Sequence, residues 1–152
     1  MCTEKDGPYL QVAVICEKAL EEKDGVISII RIIDRVMVTY VGHDVPEEMP
    51  ETPVSFVLVA SFKSGEFKGD KELKIVIKEA GSKDKDGKKL ILLPLTFEGD
   101  EKGANVILNN VIQTKTEGVY WFEIFLDDKL YSKVPLRILY KSEKAVASAP
   151  PT

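Results

Sequence analysis

Histidine, cysteine and tryptophan are scarce in this chain, with one His, two Cys and one Trp among 152 residues. The only histidine, His43, lies in a proline-rich loop, so a cysteine nucleophile elsewhere has no base to lower its pKa. Cys2 and Cys16 occupy unrelated positions. They make no disulfide framework and point to a reducing compartment. No G-x-S-x-G, P-loop, G-x-G-x-x-G or C-x-x-C pattern occurs. The first ten residues, MCTEKDGPYL, hold no apolar segment of signal-peptide kind. The longest apolar stretch is broken by Arg31, Asp34 and Arg35, so no membrane span is expected. A cytoplasmic setting follows. Positive charge is not in excess either. At a net charge of -4 the chain is not expected to bind nucleic acid through a general basic face.

What is present is ordinary globular material, 44% hydrophobic and 30% charged. The length suits one domain with a core of its own. Segments of period two recur along it. Residues 9–16 are apolar on both faces, as in a central strand. Asp24-Gly25 is a hairpin-turn signal. Residues 26–40 fit one helical face as well as a strand, and their density of Ile and Val favours the strand. Pro46, Pro50 and Pro53 keep 42–53 out of regular structure. Residues 54–62 alternate cleanly, and Ser64-Gly65 closes that strand. In 71–79, Lys74 and Lys78 point outward, as on a protected edge. Pro94 puts 90–98 at an edge or a bulge, and 104–115 holds a further strand. The clearest unit is the hairpin 117–140. Folded about Asp127-Asp128-Lys129, it pairs Leu126 with Leu130, Phe122 with Val134 and Tyr120 with Leu136. The expected fold is an all-β, antiparallel two-sheet sandwich of about eight strands. Residues 1–8 form a flexible lead-in, 9–140 the domain and 141–152 a disordered tail.

Thr116-Glu117-Gly118-Val119-Tyr120-Trp121-Phe122 resembles the D-x-G-x-Y-x-C segment of immunoglobulin-like domains. Tyr120 stands in the place of the corner tyrosine and Phe122 in that of the second disulfide cysteine. The stretches VICEKALEEKDGVISIIRIIDR and GVYWFEIFLDDKL are also similar to an uncharacterised bacterial family of single-domain β-sandwich proteins. These resemblances imply an immunoglobulin-like or C2-like sandwich in the cytoplasm, and no activity or cofactor.

Four groups of residues remain as candidate sites. His43 and Asp44, with Glu47, Glu48 and Glu51, could offer ligands to a divalent ion, but the prolines spread the carboxylates apart. Asp84 and Asp86 begin like a calcium loop. In that register the bidentate glutamate is missing, because the twelfth position is Leu95. Lys83, Lys85, Lys88 and Lys89 also neutralise the loop. Arg31, Asp34 and Arg35 sit in an apolar strand and need partners or solvent. The fourth group is the hairpin's second face, with Trp121, Phe125 and Tyr131 beside Arg137. Several aromatics on an uncovered face are the anchors of an interface. The expectation is a non-catalytic module that binds protein, itself included as a two-fold homodimer, with a calcium- or small-ligand-binding sandwich as the alternative.

Overall fold

The computed structural model describes residues 6–144. They form a 7-stranded sheet and no helix. The strands are β1 (Tyr9–Glu21), β2 (Ile27–Ile32), β3 (Arg35–Gly42), β4 (Thr52–Lys78), β5 (Lys88–Thr114), β6 (Gly118–Leu126) and β7 (Lys129–Lys144). The order across the sheet is β2-β1-β4-β6-β7-β3, with β5 beside β4. Every pair is antiparallel except β3 with β7.

The all-β expectation holds, but the strands join differently. Segments 54–62 and 71–79 are one strand, β4, of 27 residues. Segments 90–98 and 104–115 likewise merge into β5, also 27 residues long. Ser64-Gly65 therefore bends the chain instead of ending a strand. The β4–β5 register shifts on either side of Gly65, which sits opposite Asp100. Both residues are left-handed, with φ of 62° and 56°. A β-carbon at Gly65 would lie 2.6 Å from the Tyr9 ring, so only glycine fits this bulged corner. The Ser64 hydroxyl, fully buried, bonds the Lys102 carbonyl across it.

Because of that corner, β4 serves both halves of one curled sheet. Its first half pairs with β1 and the end of β5, and its second half with β6 and the start of β5. The halves face each other. Phe56 from the first half meets Phe122 of β6 edge to face, 5.0 Å between centroids. Leu58, Phe62, Leu73, Ile75, Tyr120, Ile124 and Leu136 fill the space between. A smaller cluster of Cys16, Val57 and Val59 lies apart from this core, with Ile27 and Ile29 of β2 packed on it. Burial there raises the Cys16 thiol pKa, the condition of an unreactive cysteine.

Other expectations change for local reasons. Asp24-Gly25 turns the β1–β2 hairpin, with Glu22 N donating to Val26 O at 2.8 Å. Residues 26–40 break into two edge strands at Ile33-Asp34, just past the left-handed Arg31 (φ 57°). Lys74 and Lys78 belong to a central strand, since β4 is flanked by β5 and β6 there. The 42–53 loop is shorter, as Thr52 and Pro53 already pair within β4. It is tied down by buried Met49 and by Tyr140, whose hydroxyl donates to Pro46 O at 2.7 Å. The expected tail begins later than residue 141, because Lys141 to Lys144 pair with Thr39 to Gly42. Its remainder, 145–152, and residues 1–5 with Cys2 lie outside the described residues. Of the expected lead-in, Asp6 is held at the corner, where Glu66 N donates to its carbonyl at 2.7 Å.

Candidate interaction surface

Alternation along β6 decides what points away from the core. Tyr120, Phe122, Ile124 and Leu126 turn inward and are buried. Trp121, Glu123 and Phe125 take the outer face. Register then assigns their neighbours: Trp121 lies opposite Lys78 and Pro135, Glu123 opposite Val76 and Lys133, and Phe125 opposite Lys74 and Leu130. Arg137 pairs with Arg35 of β3 and with Val119 of β6. Asp34, Arg35, Val119, Trp121, Pro135 and Arg137 line one shallow groove. Trp121 keeps 42% of its surface exposed there.

Trp121, Phe125 and Arg137 thus share the outer face, and Tyr131 does not. The turn takes two residues, Asp127 and Asp128, both left-handed, as a tight hairpin of primed type requires. Alternation in the sequence alone assigns it three. A bulge opposite Ile124 and Phe125 returns the missing residue, so Phe122 still faces Val134 and Tyr120 still faces Leu136. Between turn and bulge the faces swap. Leu130 comes out, 42% exposed, and Tyr131 goes in against Phe62 at 5.8 Å.

Sequence reasoning missed Glu123, a carboxylate only 5% exposed on this outer face. Lys78 of β4 approaches it at 3.0 Å and Lys133 of β7 at 3.5 Å, so the two ion pairs stitch three strands together. The signal was legible: Glu123 alternates with Trp121 and Phe125, where an acid needs a cationic neighbour. Lys74 in turn lies 4.8 Å from the Phe125 centroid and 3.1 Å from Asp128.

The polar candidates are dispersed. His43, Asp44, Glu47, Glu48 and Glu51 are all exposed along their loop. Asp84 accepts a bond from Asp86 N at 3.0 Å, which uses its carboxylate to shape a turn. No group of three or more His, Cys, Asp or Glu placed to hold a metal occurs among the described residues. Arg31, Asp34 and Arg35 do not share a central strand. Arg31 pairs with Glu17 at 3.3 Å and Arg35 with Asp34 at 3.1 Å, all largely exposed.

Comparison with known families matches residues 11–139 to a family of unknown function, DUF6941. The chain belongs to that family. The matched span takes in both facing halves and the whole outer face of β6. No curated protein matches this DUF6941 chain. Among solved structures, a β-glucosidase from Listeria innocua in complex with isofagomine aligns with a TM-score of 0.50 and 5% identity, over 86% of this chain and 17% of that one. A β-glucosidase from Kluyveromyces marxianus in complex with glucose aligns at 0.45 and 10% identity, over 61% of this chain and 13% of that one. An immunoglobulin-like protein from Pseudomonas aeruginosa aligns at 0.42 and 12% identity, over 88% of this chain and 98% of its own. The DUF6941 chain thus spans less than a fifth of either glucosidase, and the likeness to the Listeria enzyme is one of fold alone.

Proposed function

We propose that this chain is a non-catalytic, cytoplasmic protein-interaction module whose contact surface is the outer face of β6, β7 and β3 around Trp121. One observation carries the reading: an indole 42% exposed in a groove with Val119, Pro135 and Arg137. Tryptophan and arginine are the residues that most often anchor protein interfaces, and no described segment covers them. The charges around the groove narrow the partner. Lys78 and Lys133 share the one carboxylate of Glu123, Lys74 pairs with Asp128 and Arg35 with Asp34. Of these cations around the groove, Arg137 is the one with no ion-pair partner among the described residues. A phosphate backbone wants many free cations, whereas this face offers apolar area, one unpaired guanidinium and two lysines tied to a shared carboxylate. The partner it suits is a protein patch of apolar side chains carrying one carboxylate for Arg137.

The fold reading goes with it. We take the curled sheet as an immunoglobulin-like sandwich whose two layers share β4 and β5, since orthogonal sandwiches turn corners by bulged strands that change layer. Tyr120 supports this. Its hydroxyl donates to Thr116 O at 2.5 Å, four residues upstream, as a tyrosine corner does. Co-purification from the native host tests the function. A partner should follow the wild type and Val111→Ala, exposed elsewhere on the sheet, and be lost with Trp121→Ala. A partner retained by folded Trp121→Ala contradicts the reading.

A further inference from the structure

Among the described residues the sheet has free edges at β2, β3 and β5, and they are unequally guarded. β5 carries Lys88, Lys89 and Pro94 and bends at left-handed Gly99 and Asp100, the devices that keep an edge from pairing. β2 is 6 residues long, reaches the left-handed Arg31 one residue before its end, and packs Ile27 and Ile29 against the smaller cluster. β3, Arg35–Gly42, packs Val36 and Val38 on the main core but lacks the other devices. It holds no proline or lysine, and its ladder with β7 runs from Arg35 to Gly42 without a register shift. Among the described residues no backbone hydrogen bond from another segment reaches its far side. Its outward side chains are Arg35, Met37, Thr39 and Val41, with Met37 52% and Val41 64% exposed.

From this edge we infer that β3 pairs antiparallel with β3 of a second copy, across a two-fold axis at Thr39. The residues of β3 single out that register. Met37 then lies opposite Val41 of the second copy, and Val41 opposite its Met37, so the two most exposed apolar groups of the strand cover each other. Thr39 meets Thr39 at the axis, and Val38 meets Tyr40 on the inner side. Threonine pairs and aromatic–β-branched pairs are among the favourable cross-strand combinations. A slip by one residue sets inward side chains against outward ones. A slip by two puts Met37 opposite Thr39 and Arg35 opposite Val41, leaving apolar against polar. Within β3 no like charges face each other in the inferred register. The product is one sheet continuous through both copies, closed by the commonest oligomer symmetry. This goes beyond the Trp121 surface and does not use it. Thr39 aligns with Lys141, near the end of β7, and Trp121 with Pro135, near its middle.

Charge swapping at 37 and 41 tests the pairing. Light scattering should give the wild type twice the monomer mass. Met37→Lys with Val41→Lys, and separately Met37→Glu with Val41→Glu, should each give a monomer with wild-type circular dichroism. Mixing the two variants should restore the doubled mass. A monomeric wild type, a folded variant that stays dimeric alone, or a mixture that stays monomeric overturns the inference. Should a variant unfold, amide exchange of the wild type decides. Protection of 37–41 must rise with protein concentration, and its constancy overturns the pairing. Trp121→Ala should keep the doubled mass. Its loss would assign self-association to the tryptophan face instead.

Discussion

The ring of Tyr131 meets the ring of Phe62 edge to face, 5.8 Å between centroids, across the space between the two halves of the sheet. Phe62 is fully buried and stands next to the corner of β4. The contact makes Tyr131 a clamp on the core, although alternation counted from a three-residue turn puts it on the surface. Tyr131→Ala should therefore cost about 2–3 kcal/mol of stability, near the lower end for aromatic truncations because the residue is partly buried. Urea unfolding measures it. A loss under about 0.5 kcal/mol, the level of a surface change, would return Tyr131 to the outer face.

Burial raises the pKa of both Tyr120 and Tyr131. For Tyr120 desolvation comes first, with the Thr114 hydroxyl acting against it and Glu79 adding to the rise. The native state thus holds these protons more tightly than the unfolded chain does. Their contribution is present in full below the unfolded value of about 10 and is lost as pH climbs through the higher native values. Stability should be flat in these groups up to about pH 10 and fall above it. Tyr120→Phe should cost about 1–2 kcal/mol at neutral pH by removing the bond to Thr116 O, and should make the alkaline fall shallower. Chemical unfolding across an alkaline pH series checks both. An unchanged alkaline slope in Tyr120→Phe would contradict the assignment.

Much of the hairpin was legible because one long-range count fixed it. Phe122 opposite Val134 and Tyr120 opposite Leu136 follow from period two alone, and both pairs stand. What the sequence did not show was where one residue would be absorbed. A two-residue turn with a bulge and a three-residue turn without one give the same register beyond Ile124, and differ only at Lys129, Leu130 and Tyr131. The corner at Gly65 was hidden for a similar reason, since Ser-Gly ends strands as readily as it bulges them. Lys74 and Lys78 looked like edge protection because their partners, Phe125, Asp128 and Glu123, lie some 50 residues away in sequence, far outside the window of about 11–18 residues in which spacing carries a signal. The exposed face itself was readable from Trp121 and Phe125. Its acid, Glu123, was readable from the same alternation, but its partners Lys78 and Lys133 became visible only once β4 and β7 were placed on either side.

Glu123 offers an asymmetric pair of mutants. Its side chain is 7% exposed, while Lys78 and Lys133 keep 36% and 53%. Glu123→Gln lets both lysines turn to water and should cost only about 1 kcal/mol, as partly exposed pairs do. Lys78→Met with Lys133→Met leaves the carboxylate buried without a counter-charge and should cost about 3 kcal/mol or more. Guanidinium-free denaturation, with urea, avoids screening the pairs. Equal losses in the two variants would show that Glu123 is solvated after all.

The direct test of the interaction surface uses the protein's one tryptophan. Trp121 fluorescence can be quenched with acrylamide in the free chain and again with a saturating amount of the partner that co-purifies with it. A half-exposed indole should be quenched readily when free. Binding should bring a blue-shifted emission and a sharp fall in quencher access, with neither change in a variant lacking the Arg137 guanidinium, Arg137→Ala. Emission and quenching that stay the same at saturation would contradict the proposed surface, because the partner would then bind without covering Trp121.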